Sequence, residues 1–341
     1  MMPSTIHDVA ELSGTSIATV SRALNEPSKV RDTTRERVLA AVRTLNFRPN
    51  LLGRQLRNVR TRLIGAVLPD VFNPVFGECM QGIEESAAAS GHRVLLVTTR
   101  YDPRRESQAI DTLLSQRVDG LILTVAKADA NPVLDELARS GVPYQLVYNH
   151  SPDHPCVCVD NRAAARDAVG VLVAQGHRRI RMLSGLRSTS DRAAQRYLGY
   201  CDALEQAGIR PAKPLEIDFN QPRLPDAVLH RLTEPRSRPT ALFCGNDLLA
   251  LVVMRALREA GVRIPEAMSV VGFDGLAIGE LLTPPLATVV QPNRDIGIEA
   301  WRHLEAALDG GPPRSSVLPY RLRAAGTVAP HPFPPRKECS S

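Results

Sequence analysis

The sequence lacks the motifs that many catalytic and metal-binding proteins need. Its eight histidines are scattered and form no HExxH motif, and no GxxxxGK(S/T) motif is present. Residues 185–191, GLRSTSD, carry several hydroxyl groups but not the lysine and second glycine of a phosphate-binding loop. Among the six cysteines, only Cys156 and Cys158 have a metal-ligand spacing, and no second pair completes a zinc site. No acid/base pair can be placed either, so the sequence predicts no enzyme, no metal and no cofactor.

Long apolar segments are missing as well. No run of about 18 apolar residues occurs, and the N-terminus does not resemble a signal peptide. No internal repeat of fixed period is found. We therefore expect a cytoplasmic protein with reduced cysteines and no membrane partner.

The positive charge that is present lies at one end of the chain. Residues 1–62 hold eleven of the 42 Lys/Arg and five of the 36 Asp/Glu, so their net charge equals the +6 of the whole chain. The remaining residues are neutral in sum. A basic head on a neutral body is typical of a module that binds a polyanion such as DNA.

Two short amphipathic helices are predicted within residues 5–25, TIHDVAELSGTSIATVSRALN. Their apolar positions are Ile6, Val9, Ala10, Leu12, Ile17, Val20, Ala23 and Leu24. Thr5 and Asp8 have the spacing of a capping box, Gly14 breaks the pattern, and Ser16 caps the second helix. This spacing favours a helix-turn-helix whose second helix enters the major groove. An ordinary αα-hairpin in a bundle is the alternative.

Two further helical segments follow in the basic head. Residues 33–50 predict a third helix with Val38, Leu39, Val42 and Leu45 on its buried side, ended by Pro49. Residues 51–60, LLGRQLRNVR, have the length and charge of a helix too short to be stable alone. This segment is expected to fold only against a partner.

From Leu63 onward, short apolar runs alternate with segments of helix length. The predicted strands are 63–68, 93–99, 119–125, 144–148, 180–185, 240–245 and 269–273. The predicted helices are 74–90, 104–117, 132–140, 162–175, 192–207, 247–260 and 294–308. This alternation predicts parallel α/β sheets, and about 280 residues favour two lobes.

In parallel sheets, ligands bind beyond the carboxyl ends of the strands. The residues that follow the predicted strands are 70–76, 100–102, 149, 187–196, 246–247 and 274. These positions mix polar groups with aromatic rings. The mixture is typical of a site for a small polyol or sugar acid.

Several motifs in order resemble the LacI/GalR family of bacterial repressors. They are the head at residues 5–25, RPNLLGRQL, FCGNDLLA, SVVGFD and PPLATVVQP, and the resemblance runs from about Thr5 to Val328. It implies a helix-turn-helix head (1–49), a hinge helix (50–60) and a two-lobed α/β body like type I periplasmic binding proteins (61–329). One lobe would comprise about 61–160 plus 290–320, and the other 161–288. The Pro-rich residues 330–341 are expected to be disordered.

The resemblance implies a homodimer that binds a palindromic double-stranded operator. Ile17 and Ala18 match the positions that select the base sequence. Leu56 matches the leucine that wedges between base pairs in the minor groove, with Gln55 beside it. The other matched DNA-binding positions are Thr5, Ser16, Thr19, Ser21, Arg22, Asn25 and Asn50. Gly53 stands where the family usually has alanine, and Thr15 where it usually has valine.

The resemblance also places an effector between the two lobes. The implied effector-binding residues are Asn73, Phe76, Asn149, Arg192, Arg196, Phe219, Asn246, Asp274 and Gln291. Each has a structural alternative: Asp274 and the neighbouring Asp247 as helix caps, the arginines as solvated side chains, and the phenylalanines as core residues.

The residues around this cleft predict an anionic effector. Segments such as RYDPRRESQ resemble the gluconate-responsive branch of the family, and Arg100, Arg187, Arg192 and Arg196 would suit a sugar acid. We expect Arg196 and Asp274 to hold it from opposite ends. Neutral hexoses, pentoses and purines stay open, as do the operator, the regulated genes, the choice of inducer or corepressor, and dimer or tetramer.

The function predicted from these features is a DNA-binding transcriptional repressor controlled by a sugar or sugar-acid metabolite. The alternative is a periplasmic-type solute-binding protein without a regulatory role, which would need export and no basic head. A sugar-processing enzyme with an added DNA-binding head is a third class, and it lacks an acid/base pair.

Overall fold

The computed structural model describes residues 5–25, 27–45, 47, 60–217 and 223–331. The chain divides into two compact units, Met1–Thr61 and Arg62–Ser341, which we call the head and the body. Residues 50–59 of the predicted hinge helix and the Pro-rich tail after residue 331 lie outside the described residues.

The described part of the head consists of three α-helices around a small apolar core. They are α1 Ile6–Ser13, α2 Ile17–Asn25 and α3 Asp32–Thr44, with a 3-10 turn at Pro27–Lys29. The predicted capping box of α1 is confirmed: the Thr5 backbone N–H donates to Asp8 Oδ2 (2.7 Å), and the Asp8 N–H donates to Thr5 Oγ1 (3.4 Å). Gly14 ends α1 at φ 59°, a left-handed conformation that glycine adopts without strain. The core consists of Val9, Ala10, Val20, Ala23, Val38, Ala41 and Phe47.

The third helix is shorter than the sequence predicts. It ends at Thr44, five residues before Pro49, and Leu45 forms its C-cap. Phe47 turns back into the core beyond the helix end. The apolar stripe therefore continues past the last helical turn, which is why the pattern overstates the length of the helix.

The body contains two six-stranded sheets, each with a core on both faces. The first sheet has the order β11-β5-β4-β3-β1-β2 and is parallel throughout. Its strands are β1 Leu63–Leu68, β2 Arg93–Thr98, β3 Gly120–Leu123, β4 Tyr144–Val147, β5 Cys156–Cys158 and β11 Ser316–Val317. The lobe built on it is called the first lobe.

The second lobe is built on the sheet β12-β10-β9-β8-β6-β7. Its strands are β6 Ile180–Ser184, β7 Leu215–Glu216, β8 Ala241–Cys244, β9 Ser269–Asp274, β10 Ala287–Val290 and β12 Arg321–Arg323. Only β12 runs antiparallel to its neighbour. The predicted parallel α/β architecture with two lobes is confirmed.

Eight described helices cover these sheets. They are α4 Pro74–Ala89, α5 Pro103–Ser115, α6 Pro132–Ser140, α7 Asn161–Ala174, α8 Asp191–Gln206, α9 Asp226–Thr233, α10 Asp247–Glu259 and α11 Asn293–Leu308. Asparagine or aspartate caps most of them directly after a strand or loop, as Asn73, Asp102 and Asp160 do. Among the described residues, no helix has both the length and the apolar surface that crossing a membrane would require.

The chain passes between the lobes three times. It crosses from β5 to α7, from β10 to α11, and from β11 to β12. After the second crossing, α11 packs tightly on α4 in the first lobe, where a Cβ at Gly82 would overlap the Arg294 carbonyl oxygen. These crossings keep the carboxyl ends of both sheets beside one cleft.

Candidate functional site

In the head, the N-terminal turn of α2 presents its predicted base-reading side chains to solvent. Ile17 is 40% exposed, and Ala18 and Arg22 are exposed as well. Ser16 caps this turn, because its Oγ accepts from the Thr19 N–H (3.2 Å). The turn therefore offers two apolar side chains first and one long cationic donor a turn later.

The other residues predicted to bind DNA are partly engaged within the head or lie outside the described residues. Thr5 uses its side chain in the capping box of α1, and Ser21 is half-buried on α2. Only the backbone of Asn25 is described, whereas Asn50, Gln55 and Leu56 lie outside the described residues. Their contacts with DNA stay predictions from the resemblance.

In the body, a cleft between the lobes brings together most of the predicted effector residues. Its lining includes Asn73, Phe76, Arg192, Arg196, Asn246, Asp274 and Gln291. Phe219 lies outside the described residues. The cleft lies at the carboxyl ends of β1, β2, β4, β6, β8 and β9, where ligands of parallel sheets bind.

Arg196 and Asp274 form a buried ion pair at the floor of the second lobe. Arg196 Nη1 lies 3.4 Å from Asp274 Oδ1 and donates to the Gly245 carbonyl oxygen (2.5 Å). Its Nε donates to Asn161 Oδ1 (2.8 Å), and its guanidinium stacks 3.6 Å from the Phe273 ring centre. Arg196 is thus a packed and bonded part of the wall, and the alternative of a solvated side chain is wrong.

This pair corrects the expectation that Arg196 and Asp274 hold an effector from opposite ends. The two side chains lie side by side, since α8 carries Arg196 across the end of β9. Two of the four predicted arginines also do not line the cleft. Arg187 pairs with Glu216 (2.5 Å), and Arg100 is exposed outside the lining.

Asp274 has a raised pKa and a strained backbone conformation. Burial raises its pKa to about 7, which the Arg196 charge and hydrogen bonds from Gln291 and Asn73 only partly offset. Gln291 Nε2 donates to Asp274 Oδ1 (2.9 Å). The Asp274 backbone has φ 124°, a strained conformation of the kind that clusters at functional sites.

Two asparagines of the lining also serve as helix caps. Asn73 Oδ1 accepts from the Val75 N–H (3.2 Å), and Asn246 Oδ1 accepts from the Leu249 N–H (2.7 Å). The neighbouring Asp247 accepts from the Leu276 N–H (2.8 Å) and Thr288 Oγ1 (2.6 Å). Asp247 therefore ties strand ends together, whereas the cap of α10 is Asn246.

Asn149 does not line the cleft, which corrects its prediction as an effector contact. It is fully buried, and its Oδ1 accepts from the Val125 N–H (3.0 Å). Its Nδ2 donates to the Val125 carbonyl oxygen (2.9 Å) and to Asp191 Oδ2 (2.7 Å). All of its amide groups are thus used between the first lobe and α8.

These contacts belong to a bridge between the lobes. The Asp191 N–H donates to the Ala126 carbonyl oxygen (3.0 Å), and Arg192 Nη1 donates to the Val125 carbonyl oxygen (3.2 Å). We call Val125, Ala126, Asn149, Asp191 and Arg192 the interlobe bridge. It joins the start of α8 to the loops after β3 and β4.

Two aromatic residues of the lining are missed by sequence reasoning. Tyr101 lies within the indicated range 100–102 but is not singled out, and Tyr148 is not identified. Tyr148 packs edge-on against Phe76 at 5.6 Å between ring centres, and its hydroxyl lies 2.9 Å from the Val75 carbonyl oxygen. Both tyrosines have left-handed φ values, 59° for Tyr101 and 68° for Tyr148, so the backbone turns sharply at each of them, shortly after a strand.

Among the described residues, no group of three or more His, Cys, Asp and Glu side chains is placed to hold a metal ion. Cys156 and Cys158 are buried free thiols in β5. The cleft instead combines guanidinium, carboxylate, amide and hydroxyl groups with aromatic rings. This composition fits binding of a small polar molecule.

Family comparisons match the two units separately. Residues 5–50 match the model "Bacterial regulatory proteins, lacI family", and residues 61–324 match "Periplasmic binding proteins and sugar binding domain of LacI family". Together these matches cover most of the head and nearly all of the described body.

Relatives and solved structures match this chain over most of its length. The regulator DegA of Bacillus subtilis is 32% identical over 96% of this chain and 99% of its own. The repressor CytR of Escherichia coli is 34% identical over 90% of both chains. The lac repressor dimer bound to operator and anti-inducer superposes with a TM-score of 0.84 at 30% identity, over 96% of this chain and 100% of that one.

The alternative of a solute-binding protein without a regulatory role finds no support in these comparisons, because the relatives are named as HTH-type transcriptional regulators. The same relatives argue against an enzyme. The chain belongs to the LacI family of bacterial regulatory proteins and is a DNA-binding transcription regulator.

Proposed function

We propose that this regulator binds a palindromic operator as a homodimer and acts as a repressor whose operator affinity is set by a sugar or sugar acid in the cleft. The observation that carries the proposal is the pairing of two sites in one chain. The head exposes Ile17, Ala18 and Arg22 on one turn and a half of α2, and the body encloses a polar and aromatic cleft.

The head supplies both general and specific DNA affinity in this proposal. The net charge of +6 on residues 1–62 provides contacts with phosphates, and these contacts do not depend on the DNA sequence. Ile17 and Ala18 lack hydrogen-bonding groups and suit the 5-methyl group of thymine, whereas Arg22 suits guanine. Leu56 and Gln55, from the predicted hinge helix, would act in the minor groove.

A second copy of the chain is the partner that the body fits. The edge strand β2 exposes Leu95 and Leu96, and the 3-10 turn Ala277–Leu281 exposes Ile278 and Leu281, the latter by 83%. Large exposed apolar side chains in groups are typical of interfaces. The similar lac repressor is described as a dimer on its operator, which supports a dimer here.

The ligand class is supported by the chemistry of the cleft and by related structures. A regulator CelR is described in complex with cellobiose, and a relative from Alkaliphilus metalliredigens with D-xylulofuranose. A regulator of bacterial genes works where the chromosome is, so we place this chain in the cytoplasm at the nucleoid.

Selection of binding sites from random duplexes tests the DNA part of this proposal. We expect an inverted repeat, because a symmetric dimer binds a symmetric site. Arg22→Ala should lower affinity by about 1–3 kcal/mol and relax base preference at one position of each half-site. Arg43→Ala, which removes an exposed charge from α3, should leave base preference unchanged. An unsymmetrical site bound by a single head would contradict the proposal.

A further inference from the structure

Three buried polar atoms that line the cleft have no hydrogen-bond partner within the described part of the chain. They are Ser184 Oγ, Arg192 Nη2 and Gln291 Oε1. Leaving a buried polar group unpaired costs free energy, so native proteins rarely tolerate three such groups together. A bound molecule that pairs them must present an acceptor to Arg192 and hydroxyl groups to Gln291 and Ser184.

The two arginines of the cleft differ in how much of their hydrogen-bonding capacity the protein uses. Arg196 donates through Nε and Nη1 to Asn161 and Gly245, and it faces Asp274. Arg192 is 6% exposed: its Nη1 donates to the Val125 carbonyl oxygen and lies 3.3 Å from Asp191 Oδ1, and its guanidinium lies 5.5 Å from the Tyr101 ring centre. Arg192 Nη2 is therefore a buried cationic donor that has no hydrogen-bond partner among the described residues, and we assign it to the ligand.

We propose that Arg192 binds the carboxylate of the effector, and that the effector is a polyhydroxylated carboxylic acid rather than a neutral sugar. This inference rests on the proposed ligand-binding role of the cleft and moves the anion contact from Arg196 to Arg192. Gln291 and Ser184 then accept from and donate to the hydroxyl groups along the acid.

The charges around Arg192 are compatible with an anion. Its carboxylate partner Asp191 is already engaged by the Asn149 amide, by the Ala128 N–H (3.3 Å) and by the Arg192 N–H (2.6 Å). Glu106, the other nearby carboxyl group, accepts from the Ala126 N–H (2.7 Å), and burial raises its pKa.

The opposite wall adds little negative charge. Burial also raises the pKa of Asp274 to about 7, so the Arg196–Asp274 pair retains part of a positive charge at neutral pH. A carboxylate beside Arg192 therefore lies near two guanidinium groups and three carboxyl groups; Asp191 is engaged by hydrogen bonds, and burial raises the pKa of Glu106 and Asp274. A charge-assisted hydrogen bond between a guanidinium and a carboxylate is stronger than one between neutral groups.

The position of Arg192 also connects the bound carboxylate to both lobes. Arg192 lies on α8 of the second lobe, and its Nη1 donates to Val125 of the first lobe. A carboxylate on Nη2 would add to a side chain that already spans both lobes. The acid group is thus recognised within the interlobe bridge.

A matched pair of probes tests this proposal. D-gluconate and D-glucitol have the same carbon chain and hydroxyl groups, and differ in a terminal carboxylate against a CH₂OH group. Calorimetry on the full chain should show acid binding about 10- to 100-fold tighter than polyol binding. If gluconate is not bound, the aldonates, uronates and aldarates are compared with their reduced polyols or neutral parent sugars in the same way.

Variants assign the preference to one residue. Arg192→Gln should remove most of the preference for the acid, whereas Arg192→Lys, which keeps the charge, should retain part of it. Arg187→Gln is the matched control, because Arg187 lies on the adjacent turn, pairs with Glu216 and does not line the cleft. It should keep the full preference.

Three results would overturn the proposal: equal affinity for acid and polyol in the unaltered chain, a neutral sugar or purine as the only bound probe, or an acid preference that survives Arg192→Gln. These results would leave the proposed function intact, since the cleft would still bind a ligand and the head would still select an operator. Failure of all acid and neutral probes to bind would instead contradict the ligand-binding role of the cleft, and this inference with it.

Discussion

The two lobes bring different chemistry to the same cleft. The first lobe contributes the aromatic rings of Phe76, Tyr101 and Tyr148, whereas the second contributes the charged groups of Arg196 and Asp274. These charged groups are bonded to one another, and Arg196 is also bonded to the backbone. The comparison teaches that the charged groups of the cleft come from the second lobe, whereas the first lobe contributes mainly aromatic surface.

If the charged groups of the second lobe have this role, removing Arg196 should have the largest effect on stability and on the ligand response. Arg196→Ala leaves Asp274 buried without its cation and removes the donor to Gly245, so we expect a loss of about 3–5 kcal/mol in the stability of the body. The variant should also lose its ligand response while still binding operator. Denaturant unfolding and operator binding with and without ligand measure both effects.

Arg187→Ala is the control for this variant. It removes a partly exposed ion pair with Glu216, which is worth about 0–1 kcal/mol. If the two variants unfold at the same denaturant concentration, the charged wall does not stabilise the second lobe as described.

The raised pKa of Asp274 predicts a dependence of stability on pH. A carboxyl group whose pKa rises from 3.8 to about 7 on folding stabilises the body fully below pH 4 and loses this contribution as the pH rises through 7. At about 1.4 kcal/mol per pKa unit, the change approaches about 4 kcal/mol. Asp274→Asn should therefore gain stability relative to the unaltered chain between pH 4 and pH 8, as measured by denaturant unfolding at each pH.

Asp202 offers a control of opposite sign. Arg162 Nε donates to its Oδ2 (2.6 Å) and lowers its pKa, so its contribution is present at neutral pH and lost as the pH falls through the acid range. Asp202→Asn should therefore lose stability relative to the unaltered chain as the pH rises. A pH profile of Asp274→Asn that runs parallel to that of the unaltered chain would show that Asp274 titrates normally.

A substitution among the aromatic residues of the first lobe should have the smallest effect on stability and ligand affinity. Tyr148→Phe keeps the ring beside Phe76 but removes the hydroxyl that lies 2.9 Å from the Val75 carbonyl oxygen, at a cost of about 1 kcal/mol. Ligand affinity, measured by calorimetry, should fall far less than in Arg196→Ala. A larger loss of affinity in Tyr148→Phe would mean that the first lobe also recognises polar groups.

Sequence reasoning predicted much of the fold because the central strands and amphipathic helices have strong periodic patterns. β1 was bounded correctly at 63–68, and α6 at 132–140. The predicted strands do not include β5, β7, β10, β11 and β12. Two-residue strands such as β7 and β11 carry no periodic signal. β11 also depends on a contact distant in sequence, since Ser316 pairs with Val157.

The site could be predicted only as far as its strand ends. Asp274 and Asn149 both follow apolar strands, but Asp274 reaches the cleft and Asn149 is bonded inside the interlobe bridge. The direction of a side chain after a strand depends on local backbone turns, such as the left-handed φ of Tyr148. The pattern of residues in a single sequence does not predict these backbone turns.

The central claim is that the cleft and the head are coupled, and calorimetry with and without operator tests it most directly. The probe is the sugar acid or polyol that raises the melting temperature of the chain most. Its dissociation constant should differ between free and operator-bound protein by about 5- to 150-fold, and the operator constant should change by the same factor when the ligand is present. Identical ligand dissociation constants in the two states would contradict the account.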